Sequence, residues 1–255
     1  MAKKSLISQT LLLAGVFTLV STAMAQDPED EKPQAGFVRI LNAATITMKE
    51  PWRAGLNLSF KDQPLAMDMR GGESGGYRQI MFRGKDTVDL TATQTNQKVG
   101  FVPASFQKDC FYTLLVTGRI SDSGFNLKPL VVKDFPIPDE KKRPGSALVR
   151  FFNAVDLFIV SIKLDDNEPW SIAPMTFQEN YLQPGEHKVK LLFNYKGSIQ
   201  EINSRLILSS GSMFTVAVLV SPESPDRPTL KSWNDSEQME NILERSVPPA
   251  DATTP

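Results

Sequence analysis

Two stretches of this chain are nearly the same: Gly36-Phe37-Val38-Arg39-Ile40-Leu41-Asn42-Ala43 and Ala147-Leu148-Val149-Arg150-Phe151-Phe152-Asn153-Ala154. A sequence that repeats itself at long range must place its two copies in equivalent structures, so the repeat fixes the number of units before any secondary structure is assigned. Further matches follow in the same order. Ile162 and Leu164 answer Leu58 and Phe60, and Tyr181-Leu182-Gln183 answers Tyr77-Arg78-Gln79. The run from Gly185 to Leu191 answers Gly84 to Leu90, and Phe214-Thr215-Val216 answers Tyr112-Thr113-Leu114. The 255 residues therefore divide into two units, each long enough to bury a core of its own.

The local pattern is that of β-strands. Leu56, Leu58 and Phe60 alternate with Asn57 and Ser59, and Val88, Leu90 and Ala92 alternate with Thr87, Asp89 and Thr91. This is the period-2 signature of strands with one buried face. Val99 to Phe106 adds a further strand, and Leu127 to Val132 closes the first unit. Phe37 to Leu41 reads as the first strand, and Cys110 to Val116 is apolar on both faces, as expected of a central sandwich strand. Gly71-Gly72-Glu73-Ser74-Gly75-Gly76 reads as a loop, and turn residues recur at short intervals. No long amphipathic helix intervenes. The expected fold is all-β: two tandem antiparallel β-sandwiches, immunoglobulin-like in architecture, with a short C-terminal helix.

The boundaries follow from composition. Lys3 and Lys4, the apolar run Leu11 to Val20 and the small residues Ser21 to Ala25 read as a secretory signal peptide over 1–25. Residues 26–34 form a charged flexible lead, 35–136 the first sandwich, 137–145 a Pro-rich linker and 146–235 the second sandwich. A helix over 236–246, with a start signal at Asp235 or Ser236 and an apolar face of Met239, Ile242 and Leu243, precedes a tail over 247–255. The expected location is the periplasm, with no transmembrane segment in the mature chain. Cys110 is the only cysteine, so no intramolecular disulfide is available and stability must come from apolar burial. Loss of the two signal-peptide lysines takes the formal charge from −1 to −3, which offers nucleic acid no basic field.

Candidate chemistry is sparse. Gly72-Glu73-Ser74-Gly75-Gly76 matches the Gly-x-Ser-x-Gly pattern of acyl hydrolases, but no strand–turn–helix context surrounds it. Its serine would need His187, the only histidine, which lies in the other unit. Asp165-Asp166-Asn167-Glu168 carries oxygens suited to Ca²⁺, yet those residues also suit a hairpin turn. One His and one Cys do not make a zinc site. No catalytic set, cofactor or metal is expected. Arg39 and Arg150, each set among apolar neighbours, are expected to lay their stems on the sheet or to pair with carboxylates, while Asn42 and Asn153 should bond backbone at strand ends. Trp52, Tyr77, Trp170, Tyr181 and Trp233 are the candidate contacts for a sugar or partner, since aromatic faces stack on the apolar faces of sugars.

The order of signal peptide, Gly36 to Ala43, Phe111-Tyr112-Thr113-Leu114, Leu130-Val131-Val132-Lys133-Asp134-Phe135-Pro136 and Ser146 to Asn153 resembles the periplasmic accessory proteins of bacterial alginate O-acetylation, the AlgF-like family. Such strand motifs also resemble secreted β-sandwich repeats of unknown function. The first resemblance implies a noncatalytic accessory protein of exopolysaccharide O-acetylation, with a membrane-bound acyltransferase and a periplasmic acetyl-transfer enzyme as partners, and polysaccharide as a further possible contact. Two other functions stay open on the residues: a carbohydrate-binding or adhesion module, and a serine esterase.

Overall fold

The computed structural model describes residues 32–61, 63–135, 143–155, 159–195, 197–221 and 224–246. The signal peptide and the tail read from the sequence lie outside them, as does most of the linker. The first unit comprises β1 (Gln34–Asn42), β2 (Thr45–Ile46), a single 3-10 turn at Pro51–Arg53, β3 (Leu56–Phe60), β4 (Gln63–Met69), β5 (Glu73–Ser74), β6 (Arg78–Phe82), β7 (Lys85–Ala92), β8 (Lys98–Ser105), β9 (Phe111–Ser121) and β10 (Gly124–Phe135). The second comprises β11 (Ala147–Asn153), β12 (Val160–Leu164), β13 (Trp170–Ile172), β14 (Thr176–Leu182), β15 (Gly185–Tyr195), β16 (Ser198–Leu208), β17 (Met213–Ser221) and β18 (Ser224–Asn234), followed by α1 (Asp235–Ser246).

Each unit is a two-sheet sandwich, as the repeat requires. In the first, β4-β3-β7-β8 packs against the sheet β10-β9-β1, whose far edge is made by β5 and β6. In the second, β13-β12-β15-β16 packs against β14-β11-β17-β18. One feature departs from the wholly antiparallel expectation: β1 pairs with β9, and β11 with β17, in parallel. In the first unit the chain leaves β1, builds the whole opposite sheet and returns, which is the long crossover that a parallel pair needs. The β9–β10 hairpin is also longer than the alternation suggests. Gly118 continues β9 with φ of 104°, and an ideal Cβ there would sit 2.2 Å from the Asn126 carbonyl oxygen, so the position takes glycine.

The two sandwiches stack face to face. Val38, Ile40, Leu114 and Val116 point into the first core with Leu58, Phe60 and Leu90. Val149, Phe151, Val216 and Val218 point into the second with Ile162, Leu164 and Leu191. The alternate residues of those same strands, Leu41, Leu115, Phe152, Ala217 and Leu219, form one cluster between the units. A neighbouring cluster joins Phe37, Tyr77 and Phe111 of the first unit to Leu148 and Met213 of the second, capped by Met239 of α1. Strands β1 and β11 are therefore apolar on both faces because one face serves its own core and the other meets the sister unit. The order of layers is sheet, sheet, seam, sheet, sheet.

Candidate functional site

The arginines and threonines shared by the two repeats converge on that seam. Arg39 sits on the seam face of β1, 3% exposed, and donates from Nε to Thr113 Oγ1 (2.7 Å), from Nη1 to Asp235 Oδ1 (2.5 Å) and from Nη2 to Thr215 Oγ1 (2.9 Å). Arg150, its counterpart on β11, donates from Nη1 to Asp134 Oδ1 (2.5 Å) and from Nε and Nη2 to Glu179 Oε1 (3.1 and 2.9 Å). Asp134 in turn accepts from Thr113 Oγ1 at 2.7 Å, and Asp235 accepts from Thr215 Oγ1 at 2.7 Å. The pattern is reciprocal: each unit's Asp holds the other unit's Arg and its own Thr. A rotation that exchanges the units exchanges the two ties, which is the signature of an isologous interface within one chain.

Two different local devices deliver the equivalent carboxylates. The β9–β10 register shifts between Lys133 and Phe135, so Asp134 occupies an irregularity that aims its side chain into the seam. Asp235 stands at the junction of β18 and α1. The expected helix-start residues, Asp235 and Ser236, do not cap the helix. Asp235 is drawn to Arg39 and Thr215, and Ser236 Oγ accepts the Met213 amide at 2.8 Å. The cap is Asn234, whose Oδ1 accepts the Glu237 amide at 3.2 Å.

Three carboxyls, those of Asp134, Asp235 and Glu179, here face two guanidiniums. Burial by itself would lower the pKa of Arg39, but Asp235, Tyr77 and Asp134 outweigh it and raise it; Arg150 is raised against burial by Asp134 and Glu179. Burial pushes the Asp235 carboxyl up to about 6, with Arg39 pulling it down and Asp134 pushing it further up. Tyr77 donates to Asp134 Oδ2 at 3.0 Å and lies beneath the Arg39 guanidinium at 5.0 Å; its phenol is pushed up by burial and by Asp134. The hydroxyls of the cluster are all tied in hydrogen bonds, and the two arginine side chains are only 4% exposed. What it does is hold two sheets in one register.

The paired asparagines behave as expected of strand ends. Asn42 donates to the Met69 carbonyl (3.0 Å) and accepts the Ala44 amide (3.1 Å). Asn153 donates to the Ile172 carbonyl (3.0 Å) and accepts the Val155 amide (3.2 Å).

Ser74 and His187 are not brought together. Ser74 lies in β5 against β1, and its Oγ accepts a hydrogen bond from Trp233 Nε1 at 3.0 Å; Lys231 Nζ donates to the Gly72 carbonyl at 2.6 Å. The glycine segment, read as a loop, thus contributes a short strand and forms a latch for β18 of the sister unit. Beside it lies an open groove of about 430 Å³ lined by Met67, Met69, Glu73, Ser74, Arg78 and Lys231. His187 is on β15 in the far sheet, with Nδ1 2.8 Å from Asp165 Oδ2 and Nε2 2.8 Å from the Gln183 carbonyl oxygen. Its first-unit counterpart is the Lys61–Asp86 pair at 2.9 Å, the same contact with the charges exchanged. The Asp165 segment is accordingly a turn whose carboxylate is occupied by His187 and the Lys188 amide. Among the described residues no group of three or more His, Cys, Asp or Glu could hold a metal ion.

The aromatic candidates are placed apart. Tyr77 is buried in the seam and Tyr181 half-buried at its edge, where Arg143 lies 4.4 Å from its ring centroid. Trp233 is half-buried against the other seam cluster. Trp170 packs edge-on against Phe151 at the second core, 5.6 Å between centroids. Trp52 falls in the 3-10 turn, and its side chain is outside the described residues. Sequence reasoning missed Asp134, Asp235 and Glu179. Following the repeat beyond Thr113 and Thr215 would have paired the two aspartates, which stand at nearly the same separation from those threonines.

No protein-family model matches the chain, and no curated protein matches it. The solved structures similar to it include a family-26 carbohydrate-binding module of Eubacterium rectale Amy13K in complex with maltoheptaose, at 8% sequence identity and a TM-score of 0.21, with 79% of this chain and 97% of that one covered. A likeness that distant carries nothing about what this chain binds. Among the described residues no helix is long and apolar enough to cross a membrane.

Proposed function

We propose that this protein is a noncatalytic periplasmic accessory component of exopolysaccharide O-acetylation, a rigid double sandwich that serves as an adaptor beside a membrane-bound acyltransferase and a periplasmic acetyl-transfer enzyme. The observation that carries this reading is the reciprocal Arg–Asp tie. Arg39, Arg150, Thr113, Thr215, Asn42 and Asn153, polar residues matched between the repeats, are all engaged in fixing one unit on the other or in closing strand ends. The hydroxyl and imidazole best suited to chemistry are engaged separately. The compartment and the polymer rest on the signal-peptide pattern and on the strand motifs of the sequence.

Deletion of the gene with measurement of polymer acetyl content tests the proposal. Acetyl content should fall and should be restored by the chain carrying both Ser74→Ala and His187→Asn. Normal acetylation in the deletion strain would overturn it. Binding of glycan by the purified protein alone, seen by titration calorimetry, together with normal acetylation, would favour the carbohydrate-binding reading instead.

A further inference from the structure

The two most exposed large apolar side chains among the described residues are Ile199 and Ile207, 77% and 72% exposed, and both stand on β16. Isoleucine at such positions covers nothing of its own: across the sheet Ile199 faces Asn194 and Ile207 faces Glu186. β16 is also a free edge of its sheet. An edge strand is a template for another strand unless something blunts it, and proline is a common means. The other edge strands of eight or more residues each contain proline: Pro103 in β8, Pro129 in β10, Pro225 and Pro228 in β18. β16, with eleven residues, has none.

The free side of β16 can be read from its hairpin. Tyr195 pairs directly with Ser198 across a two-residue connection, so that pair exchanges both backbone hydrogen bonds. By alternation the even-numbered residues of β16 bond β15, and the odd-numbered ones point their N–H and C=O outward. Those odd residues are Ile199, Glu201, Asn203, Arg205 and Ile207, all exposed. Their order, apolar, acid, amide, base, apolar, is complementary to itself when reversed.

We propose that β16 is the interface of a symmetric dimer in which it pairs antiparallel with β16 of a second copy, centred on Asn203. In that register Ile199 meets Ile207 of the other copy, Glu201 meets Arg205, and Asn203 meets Asn203. All of these are residues with free backbone groups, giving about ten new backbone hydrogen bonds. Moving the register by two residues in either direction sets an isoleucine against Arg205 or Glu201. Within one protomer Glu201 already accepts from Lys190 (2.8 Å) and Asn203 Nδ2 (2.9 Å), and Arg205 donates to Glu186 at 3.2 Å. Pairing joins these into a ladder of alternating charge, Lys190, Glu201, Arg205, Glu186, running from one copy to the other, and opposite charges facing across strands favour that register.

Sedimentation velocity of the mature chain over a concentration series tests this. The wild type should show a concentration-dependent dimer. Asn203→Pro should abolish it without disturbing the protomer, because the Asn203 amide has no partner in β15. Arg205→Glu should abolish it by opposing two acids, and Glu201→Arg combined with Arg205→Glu should restore it. Asn203→Cys should be linked by a short bismaleimide into a covalent dimer through position 203, since the Cα atoms of a hydrogen-bonded antiparallel pair lie about 5.5 Å apart. A wild type that stays monomeric at every concentration, a dimer indifferent to both single substitutions, or failure of the Asn203→Cys variant to cross-link would each overturn the proposal. Circular dichroism of each variant confirms that the protomer remains folded.

Discussion

Replacing Arg39 by Met removes the cation from the seam while keeping most of the stem's volume. Asp235, fully buried, would then retain only the Thr215 hydroxyl as a partner. The consequence depends on pH in a way the site dictates. In the wild type the Asp235 carboxyl is raised from 3.8 to about 6, so the folded state binds the proton more tightly than the unfolded chain. The group's contribution is therefore fully present below pH 3.8, declines as pH rises towards 6, and is constant above it. Without Arg39 the carboxyl titrates higher still, and the decline continues past pH 6. At pH 5 Asp235 carries a proton in both proteins, and the variant should lose only the hydrogen bonds of Arg39, about 1–2 kcal/mol. Above pH 6 the deficit should grow by about 1.4 kcal/mol per unit, reaching about 4–5 kcal/mol at pH 8, the range found when one partner of a buried ion pair is deleted. Urea unfolding at the two pH values, followed by tryptophan fluorescence, measures both. Adding Asp235→Asn to the variant should recover most of the deficit at pH 8 and little at pH 5. An equal deficit at both pH values, or no recovery on adding Asp235→Asn, would refute the reasoning.

Three further outcomes are expected. His187 should titrate above its ordinary range, because burial, which lowers it, is outweighed by the Gln183 carbonyl and Asp165; proton NMR of the imidazole should show the midpoint fall in Asp165→Asn. The stability this pair contributes is present on the acid side of the unfolded histidine's pKa and is lost as pH rises through the raised folded value. Gly118→Ala should cost about 2–3 kcal/mol, since φ of 104° is strained for alanine and the new Cβ would meet the Asn126 carbonyl, and the urea midpoint should fall accordingly. Ser74→Ala should remove the acceptor of Trp233 Nε1 for about 1 kcal/mol of stability and leave turnover of a chromogenic acetyl ester unchanged from background.

Much of the scaffold was legible because strand alternation is local. Leu56, Leu58 and Phe60 on β3 announce their buried face by spacing alone, and the second copy of the unit repeats the message at Ile162 and Leu164. The partners of Arg39 and Arg150 were not legible, since the strand pattern around each reports a strand and not what lies across from its faces. Asp235 looked like a helix start, a local use that masks its distant one, and nothing local marked Asp134 as the partner of an arginine in the other unit. Tyr77, Tyr181 and Trp233 stood out as aromatic, yet nothing local distinguishes a ring that stacks on a sugar from one that fills a seam.

By itself the sequence determined two sandwiches and the paired asparagines that close their first strands, since these follow from periodicity, turn chemistry and internal repetition. Only the tertiary structure decided that the sandwiches meet face to face, that each unit's aspartate holds the other's arginine, and that the serine and histidine of the notional pair lie in different sheets with different partners. Contacts between Arg39 and Asp235, 196 residues apart, arise from how two completed surfaces match in shape and charge. No local propensity encodes that match.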